Sequence, residues 1–394
     1  MKTLLKNGLL YTMAEKQPIK NGSILIENSK ILKIGVDLEE TADKIIDLHG
    51  AWVLPGLIDA HCHAGIFEAG MGVEGNDGNE CTDPITPELR GIDGINPQCE
   101  SFEDGFRAGV TTVATGPGSA NTVGGQFAAL KTYGKTIKDK LVKEPLAMKC
   151  AFGENPKRVY GGKGKKPETR MANAALLREL LGKTVEYCEK QDLAEEKNDK
   201  TLKPSYDAKL EAMSLVIRKQ IPLKAHAHRA DDMLTALRIA EEFGVDITLE
   251  HCTEAHLIVE ELVESGRGLI IGPSFMFKGK PEVRHLSLET PGILAKAGAK
   301  VAIMTDLPCA PLSFLRVCVG LAVQSGMPWI DGCKSVTINA AEILGLDDRI
   351  GSLEPGKDAD IAVYDKEPFT DLTSQCLMTI INGEIVHNKE TFSV

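Results

Sequence analysis

The stretch LPGLIDAHCH, residues 54–63, is the part of the sequence from which the fold can be worked out. It is an apolar run that ends in two histidines. Alternate residues of a strand point to the same side, so His61 and His63 can face one ion. Nine histidines in 394 residues would produce about 0.2 such pairs by chance, so the motif alone is weak. Its weight comes from other strands that end in the same way.

Three further apolar strands end in side chains that bind metals well. IPLKAHAH ends in His226 and His228, VDITLEH ends in His251, and AKVAIMTD ends in Asp306. Barrel enzymes place their chemistry at the carboxyl ends of their strands, a location that independent accidents would not share. Burying these groups together without an ion would be costly. The pattern therefore predicts a metal site, although one of these histidines taken alone is also compatible with a hydrogen-bonded core residue.

The middle of the chain repeats an apolar strand, a polar turn and an amphipathic helix, which is typical of a parallel α/β fold. Seven such strands are readable, and an eighth is expected in the glycine-rich stretch near Gln126. Among the helices, ADDMLTALRIAEEFG is expected to end at Gly244. A (β/α)8 barrel over residues 55–349 is the natural closure of this pattern.

Both ends of the chain have a different texture, that of short alternating strands. Asn21-Gly22 predicts a hairpin turn in the first part, and Asn382-Gly383 predicts a tight turn in the last. We expect residues 1–54 and 350–394 to pair into one small β domain beside the barrel.

Composition excludes several classes of function. The net charge of -11 gives no field that would attract nucleic acid or anionic lipid. No apolar run approaches the ~18 residues of a membrane span, and the first residues lack a signal-peptide core. Ten cysteines without a CxxC pair fit a reducing cytoplasm. We expect a cytoplasmic protein with a small-molecule substrate and no nucleic-acid or membrane partner. A homo-oligomer is compatible with this composition.

Lys149 is a charged residue inside the apolar strand PLAMKCAF, and lysine is rarely buried without a partner. A desolvated amine is neutral and nucleophilic, so carbon dioxide can convert it into a carbamate whose two oxygens bridge metals. Two alternatives stay open. Lys149 can instead extend to the barrel rim, and the nearby Glu154 can be the bridging carboxylate or a substrate contact.

These motifs together resemble the amidohydrolase superfamily. LPGLIDAHCHAG is similar to its first-strand motif, LEHCTEA to its sixth-strand histidine, MTDLP to its eighth-strand aspartate and GSLEPGKDADIAVYD to its C-terminal signature. The resemblance implies a distorted TIM barrel with a small β-sandwich domain formed by both termini. It also implies one divalent ion on His61, His63 and Asp306, a second on His226 and His251, and a carbamate of Lys149 between them.

The resemblance is closest to imidazolonepropionase-like and dipeptidase-like members. Imidazolonepropionases and cytosine deaminases keep a glutamate three residues after the fifth-strand histidine, where this chain has Arg229. That difference argues against both activities. Zinc is the expected ion, with two per chain, but imidazole and carboxylate ligands suit iron and manganese as well.

The predicted function is metal-dependent hydrolysis of an amide-type C–N bond in an N-acyl amino acid, a dipeptide or a cyclic amide. Asp306 is the predicted catalytic residue, which accepts a proton from the attacking water and delivers it to the leaving nitrogen. A deaminase with one metal per chain is the first alternative. A catalytically idle barrel that serves binding or assembly is the second, and the filled ligand positions argue against it.

Substrate contacts are predicted from charge and position. His228 or Arg229 can stabilise an oxyanion, Arg229 can also bind a substrate carboxylate, and His285 is a further candidate contact. The glycine-rich stretch 155–170 is expected to be a mobile loop after a strand end, and its arginines suit an anionic substrate. The alternative is an ordinary solvated surface. Its basic residues are Lys157, Arg158, Lys163, Lys165, Lys166 and Arg170.

Overall fold

The computed structural model describes residues 1–389. The strands are β1 (Lys2–Leu10), β2 (Ile19–Glu27), β3 (Lys30–Val36), β4 (Lys44–Asp47), β5 (Trp52–Pro55), β6 (Leu57–Cys62), β7 (Val110–Thr115), β8 (Val123–Lys131), β9 (Leu141–Ala151), β10 (Leu223–Ala227), β11 (Ile247–His251), β12 (Leu269–Ile271), β13 (Val301–Ile303), β14 (Ile361–Tyr364), β15 (Cys376–Ile381) and β16 (Glu384–Asn388).

The α-helices follow in chain order. They are α1 (Glu100–Arg107), α2 (Ile137–Lys140), α3 (Glu154–Gly161), α4 (Arg170–Glu196), α5 (Ala208–Ile217), α6 (Ala230–Phe243), α7 (Val259–Ser265), α8 (Thr290–Lys296), α9 (Leu315–Gln324), α10 (Trp329–Ser335) and α11 (Ile338–Leu344). Within the described residues, none of these helices is both long and apolar enough to cross a membrane.

One eight-stranded sheet joins the two ends of the chain. Its order is β16-β15-β14-β5-β1-β2-β3, with β4 beside β1. β14 pairs antiparallel with β5, which places Val363 opposite Val53. Buried aliphatic side chains from both ends, among them Leu5, Ile24 and Ile380, pack in one cluster. The small β domain predicted from both termini is confirmed, except for residues 390–394 of the predicted range, which lie outside the described residues.

The two predicted turns of this sheet had different outcomes. Asn382-Gly383 does form the turn between β15 and β16, and both residues have positive φ angles of 50° and 78°. The hairpin predicted at Asn21-Gly22 is wrong, because both residues lie inside β2 and the turn follows at 28–29. Gly22 serves close packing instead, since a Cβ there would lie 2.5 Å from the Leu10 side chain.

The second sheet is a nearly closed barrel in the order β13-β12-β11-β10-β9-β8-β7-β6. All seven strands expected between residues 54 and 306 are present. Closure between the first and last strands is made at the mouth: the backbone N–H of Asp306 donates to the carbonyl of His61 at 3.2 Å, and that of His63 donates to Leu307 at 3.0 Å. The distorted TIM barrel is confirmed, and its seam holds the candidate ligands of two strands together.

The eighth strand expected near Gln126 is also present as β8, but it runs antiparallel to both neighbours. A parallel crossover needs about a dozen residues or more, and only the segment 116–122 separates β7 from β8. The chain therefore turns back directly, and this reversal distorts the barrel.

The helices correct one prediction and confirm another. α6 ends at Gly244, which adopts the left-handed conformation as expected. The stretch 155–170, predicted to be a mobile loop, is half helical, because α3 runs to Gly161 and α4 begins at Arg170. Two of its three glycines, Gly162 and Gly164, lie in the link between these helices, and this glycine content misled the sequence interpretation.

Candidate metal centre

The structure brings every predicted metal ligand to one end of the barrel. His61 lies near the end of β6 and His63 just beyond it, His226 is the last but one residue of β10, and His251 ends β11. All of these side chains are buried despite their polarity. Three residues at this mouth, His251, Cys252 and Asp306, have positive φ angles of 71°, 50° and 51°. Such conformations are costly for residues other than glycine, and they turn the chain where the ligands leave their strands.

One group of ligand atoms gathers around Asp306. Its Oδ1 lies 3.3 Å from Nε2 of His63 and 3.7 Å from Nε2 of His61. His61, His251 and Asp306 offer ligand atoms that all lie within 4.8 Å of one another. This spacing allows one ion to be shared between them.

A second group consists of three imidazoles. The ring of His251 lies 4.3 Å from that of His226 and 4.5 Å from that of His228, between centroids. Their ligand atoms also lie within 4.8 Å of one another. His228, which the sequence suggested as a substrate contact, thus stands among the candidate ligands.

Hydrogen bonds orient the imidazoles of both groups. Nδ1 of His63 donates to the carbonyl of Gly116 at 2.8 Å, and Nδ1 of His251 donates to that of Gly272 at 3.1 Å. A carbonyl only accepts, so Nδ1 carries the proton and Nε2 keeps its lone pair for an ion. Nδ1 of His226 is buried and has no hydrogen-bond partner among the described residues.

The protonation states suit metal binding. Burial is the main cause that lowers the pKa well below its ordinary value in His61, His226, His228 and His251. Burial works against ionisation of Asp306, but His251, His63 and Lys149 outweigh it and hold the pKa at about 2. Neutral imidazoles beside a carboxylate are the donor set of a divalent ion such as zinc, iron or manganese. The residues present therefore fit such an ion.

Lys149 is completely buried on β9, and its Nζ lies 3.1 Å from Nε2 of His61. The alternative in which this lysine extends to the barrel rim is wrong. Burial lowers the pKa of Lys149 to about 8, although Glu250 and Asp306 oppose the shift. Within residues 1–389, no carboxylate oxygen lies within 4.0 Å of its amine. The amine is thus placed beside the ligands without an ion pair of its own.

A second buried lysine, Lys224, was missed. It lies opposite Lys149 in the register of β10 and β9. Its Nζ donates to the carbonyl of Ala60 at 3.0 Å and lies 2.9 Å from Oε2 of Glu250. The signal in the sequence, a charge inside the apolar strand IPLKAHAH, was the same as for Lys149. Only the tertiary structure shows that Lys224 has a carboxylate partner and that Lys149 has none within the described residues.

Three carboxylates behind the site were also missed. Asp59 accepts hydrogen bonds from the hydroxyl of Thr305 and from the backbone N–H of His61, and so joins β6 to the segment after β13. Glu250 faces the imidazole of His61, with 2.9 Å between Oε2 and Nδ1. Glu282 lies on the segment between β12 and α8, a stretch without a recognisable motif.

Of the predicted substrate contacts, Arg229 and His285 are already bound to carboxylates of the protein. Both ends of the Arg229 guanidinium bind the neighbouring Asp231 at 2.8 Å. His285 lies 2.7 Å from Glu254 through Nδ1. The backbone N–H of Glu154 donates to Glu282, whereas Arg158 is exposed on α3.

Several cations of the basic stretch are already bound within the protein. Lys163 and Lys165 donate to the backbone carbonyls of Cys81 and Thr82 at 2.8 and 3.1 Å. Arg170 makes a two-pronged ion pair with the buried Asp232. These contacts weaken the sequence argument for an anionic substrate, which now depends on Arg158.

The fold and these ligand atoms together define a barrel protein with a candidate divalent-metal centre. Residues 52–386 match the model of the amidohydrolase family, and the chain belongs to that family. Members of this family are hydrolases and generally bind a divalent metal.

Among solved structures, an amidohydrolase from Thermotoga maritima is 42% identical, with a TM-score of 0.95, and the match covers 98% of this chain and 100% of that one. A Xaa-Pro dipeptidase with methionine in its active site matches at a TM-score of 0.59 and 19% identity, which shows a common fold alone; 98% of this chain and 100% of that one are covered.

Sequence relatives carry several names. Amidohydrolase tasK of Hapsidospora irregularis is 29% identical over 93% of this chain, which spans only 41% of that protein's length. An imidazolonepropionase of Pseudomonas putida is 26% identical, with 94% of this chain and 95% of the relative covered. A 5′-deoxyadenosine deaminase of Methanobrevibacter smithii is 23% identical, with 96% and 89% covered.

Proposed function

We propose that this protein hydrolyses an amide-type C–N bond in an N-acyl amino acid, a dipeptide or a cyclic amide, using two divalent ions. The observation that carries the proposal is that the donor atoms form two adjacent groups, one of His61 and His63 around Asp306 and one of His226, His228 and His251. A bound ion lowers the pKa of a water molecule and polarises the carbonyl of the substrate.

Asp306 is the proposed proton carrier. Its carboxylate is ionised and lies among the ligand atoms, with 3.3 Å between Oδ1 and Nε2 of His63. It accepts the proton of the attacking water and donates it to the leaving nitrogen. Two backbone bonds at the barrel seam hold Asp306 beside His61, so the carboxylate needs no rearrangement to act.

Lys149 is proposed to bridge the two groups as a carbamate. Burial, a lowered pKa and the absence of an ion pair within the described residues favour its reaction with carbon dioxide. Its amine lies 3.1 Å from Nε2 of His61. Glu154 is less suited to this task, because among residues 1–389 only its backbone N–H, which donates to Glu282, contacts the surroundings of the site.

The mononuclear deaminase is the second candidate, favoured by the likeness to the 5′-deoxyadenosine deaminase. Arg229 argues against it, because it stands where cytosine deaminases keep a glutamate and it is paired with Asp231. Metal content separates the two candidates: two ions per chain support the hydrolase with a bridged centre, and one supports the deaminase.

The test is elemental analysis of protein purified without added metal, followed by a screen of N-acyl amino acids, dipeptides and cyclic amides. We expect about two equivalents of metal, loss of turnover after chelation and recovery on adding zinc or manganese. Protein that binds no divalent ion, or that keeps its turnover after complete chelation, would contradict the proposal.

A further inference from the structure

Glu282 is a buried carboxylate that points at the three-histidine group. It lies in a short 3₁₀ turn, Pro281–Val283, between β12 and α8, and only 2% of its surface is exposed. Its Oε1 lies 3.7 Å from Nε2 of His226 and also 3.7 Å from Nε2 of His228. A buried acid needs partners, and here two imidazoles from another segment face the same oxygen.

These distances are too long for hydrogen bonds. Nitrogen and oxygen ligands that each lie about 2.0–2.2 Å from one ion are roughly 3.0–3.6 Å apart, so both nitrogen–oxygen distances are only slightly longer than the spacing of two ligands on one ion. Nε2 of His226 is also approached by the side-chain amide of Asn155, at 3.4 Å. The carboxylate oxygen of Glu282 is thus near ligand spacing from two of the three imidazoles.

The surroundings of Glu282 are shaped to hold it. Its Oε2 accepts the backbone N–H of Glu154 at 3.0 Å, and Nζ of Lys280 lies 2.8 Å from Oε1. Gly153 has a φ of +88°, and a Cβ there would lie 2.6 Å from Oε2. A side chain at position 153 would displace the carboxylate, so both the backbone and the glycine keep it aimed at the imidazoles.

We infer that Glu282 is a metal ligand, which joins His226, His228 and His251 around one ion. This inference rests on the proposed metal-dependent function. It adds Glu282 and His228 to the resemblance-based assignment, in which His226 and His251 hold that ion with the carbamate. It also attaches the segment between β12 and α8 to the metal centre, so that loading with metal orders this segment.

Glu282→Gln is the first test, because the amide keeps the size of the side chain and an oxygen for the N–H of Glu154. Glu254→Gln is the matched control. Glu254 is another buried carboxylate at the mouth, but it binds His285 and the backbone of Ala230. Metal affinity is measured by competition with a chelator, and the Co²⁺-loaded proteins are compared by their visible absorption.

We expect Glu282→Gln to weaken binding of one ion by about tenfold or more and to change the Co²⁺ spectrum, while Glu254→Gln changes neither. Hydrogen exchange of residues 272–289 should slow on metal loading in the unsubstituted protein and less in Glu282→Gln. Glu282→Asp, which keeps the charge but withdraws the carboxylate, should show the same loss of affinity and decides the question if the Gln variant does not fold.

Unchanged affinity and an unchanged Co²⁺ spectrum in both Glu282 variants would overturn the inference and leave the proposed function standing. A raised KM with unaltered metal binding would also overturn it, because Glu282 would then contact substrate alone. If the unsubstituted protein binds no ion, the proposed function itself fails, a result that is distinct from the other two.

Discussion

The carboxylate of Glu250 lies 2.9 Å from Nδ1 of His61, and both side chains are completely buried. The same oxygen lies 2.9 Å from Nζ of Lys224. Glu250 thus stands between a candidate metal ligand and a buried cation. A carboxylate behind a ligating imidazole fixes the tautomer and the direction of the ring, so that Nε2 faces the ion.

Glu250 is therefore expected to act as a positioning residue for His61. Glu250→Gln should lower metal affinity by about 10–100-fold, measured by competition with a chelator. It should also lower stability, because Lys224 keeps its charge without its partner. Adding Lys224→Met to Glu250→Gln should recover stability but not metal affinity. Recovery of both would show that Glu250 acts on the fold alone.

Lys149 and Lys224 form a natural pair for testing the carbamate. Lys149→Ala should reduce metal content towards one ion per chain, and acetate or propionate should restore part of the activity by taking the place of the carbamate. Lys224→Ala should lose stability without any rescue by these acids, since its amine is bound to Ala60 and Glu250. A Lys149→Ala variant with full metal content would remove the bridge from the mechanism.

Asp306 is expected to govern rate more than metal content. Asp306→Asn should lower kcat by about 10²–10⁴-fold while part of the metal stays bound, because the amide cannot carry a proton. Since the pKa of Asp306 is about 2, its ionisation should not cause a break in the rate profile of the unsubstituted enzyme above pH 4. His61→Ala or His226→Ala should instead lose metal and activity together while the protein stays folded. Equal rates for Asp306→Asn and the unsubstituted protein would exclude the proton-carrying role.

Asp59 predicts a pH dependence of stability with a defined sign. Burial raises the pKa of Asp59 to about 7 in the folded protein, against the hydrogen bonds from Thr305 and His61. The folded state then binds the proton more tightly than the unfolded state. The contribution of this proton to the free energy of unfolding is therefore complete below about pH 4 and is lost as pH rises to about 7. Asp59→Asn should remove this part of the pH dependence, measured by denaturant unfolding of the metal-free protein. An unchanged pH profile would mean that Asp59 is ionised in the folded state.

Arg158 and Arg170 are expected to have different roles, Arg170 in stability and Arg158 in substrate binding. Arg170→Gln leaves the 3% exposed carboxylate of Asp232 without its partner and should lower the Tm. Arg178→Gln is its control, because the pair with Glu242 is more exposed and is expected to contribute about 0–1 kcal/mol.

Arg158→Gln should leave the Tm unchanged, since this side chain is exposed. It should raise KM for a carboxylate substrate but not for the neutral amide analogue, and added salt should reduce the difference. Equal effects on both substrates would remove the remaining argument for an anionic substrate.

Much of the fold and of the candidate site can be read from local patterns. The barrel strands are continuous apolar runs because both faces of a parallel strand are buried. His61, His226, His251 and Asp306 stand out because each follows such a run, and the carboxyl ends of barrel strands meet at one mouth. Patterns of this kind depend on residues that are neighbours in the chain, so no knowledge of long-range packing is required.

The contacts that separate residues of the same type depend on tertiary structure. Lys149 and Lys224 have the same sequence signature, but only the packing of β9, β10 and β11 shows which of them meets Glu250. Glu282 has no motif, and it becomes visible only because the segment after β12 folds back over β10. The reversed strand β8 and the turn at 28–29 were likewise decided by chain geometry and side-chain space. The sequence alone determined the apolar strands of the barrel and the candidate ligands that follow them, because both can be read from periodicity, whereas α3 and the turn at 28–29 could not be read in this way. The partners of the buried charges were decided only by the closed barrel, because charges far apart in the chain compete there for the same few oxygens.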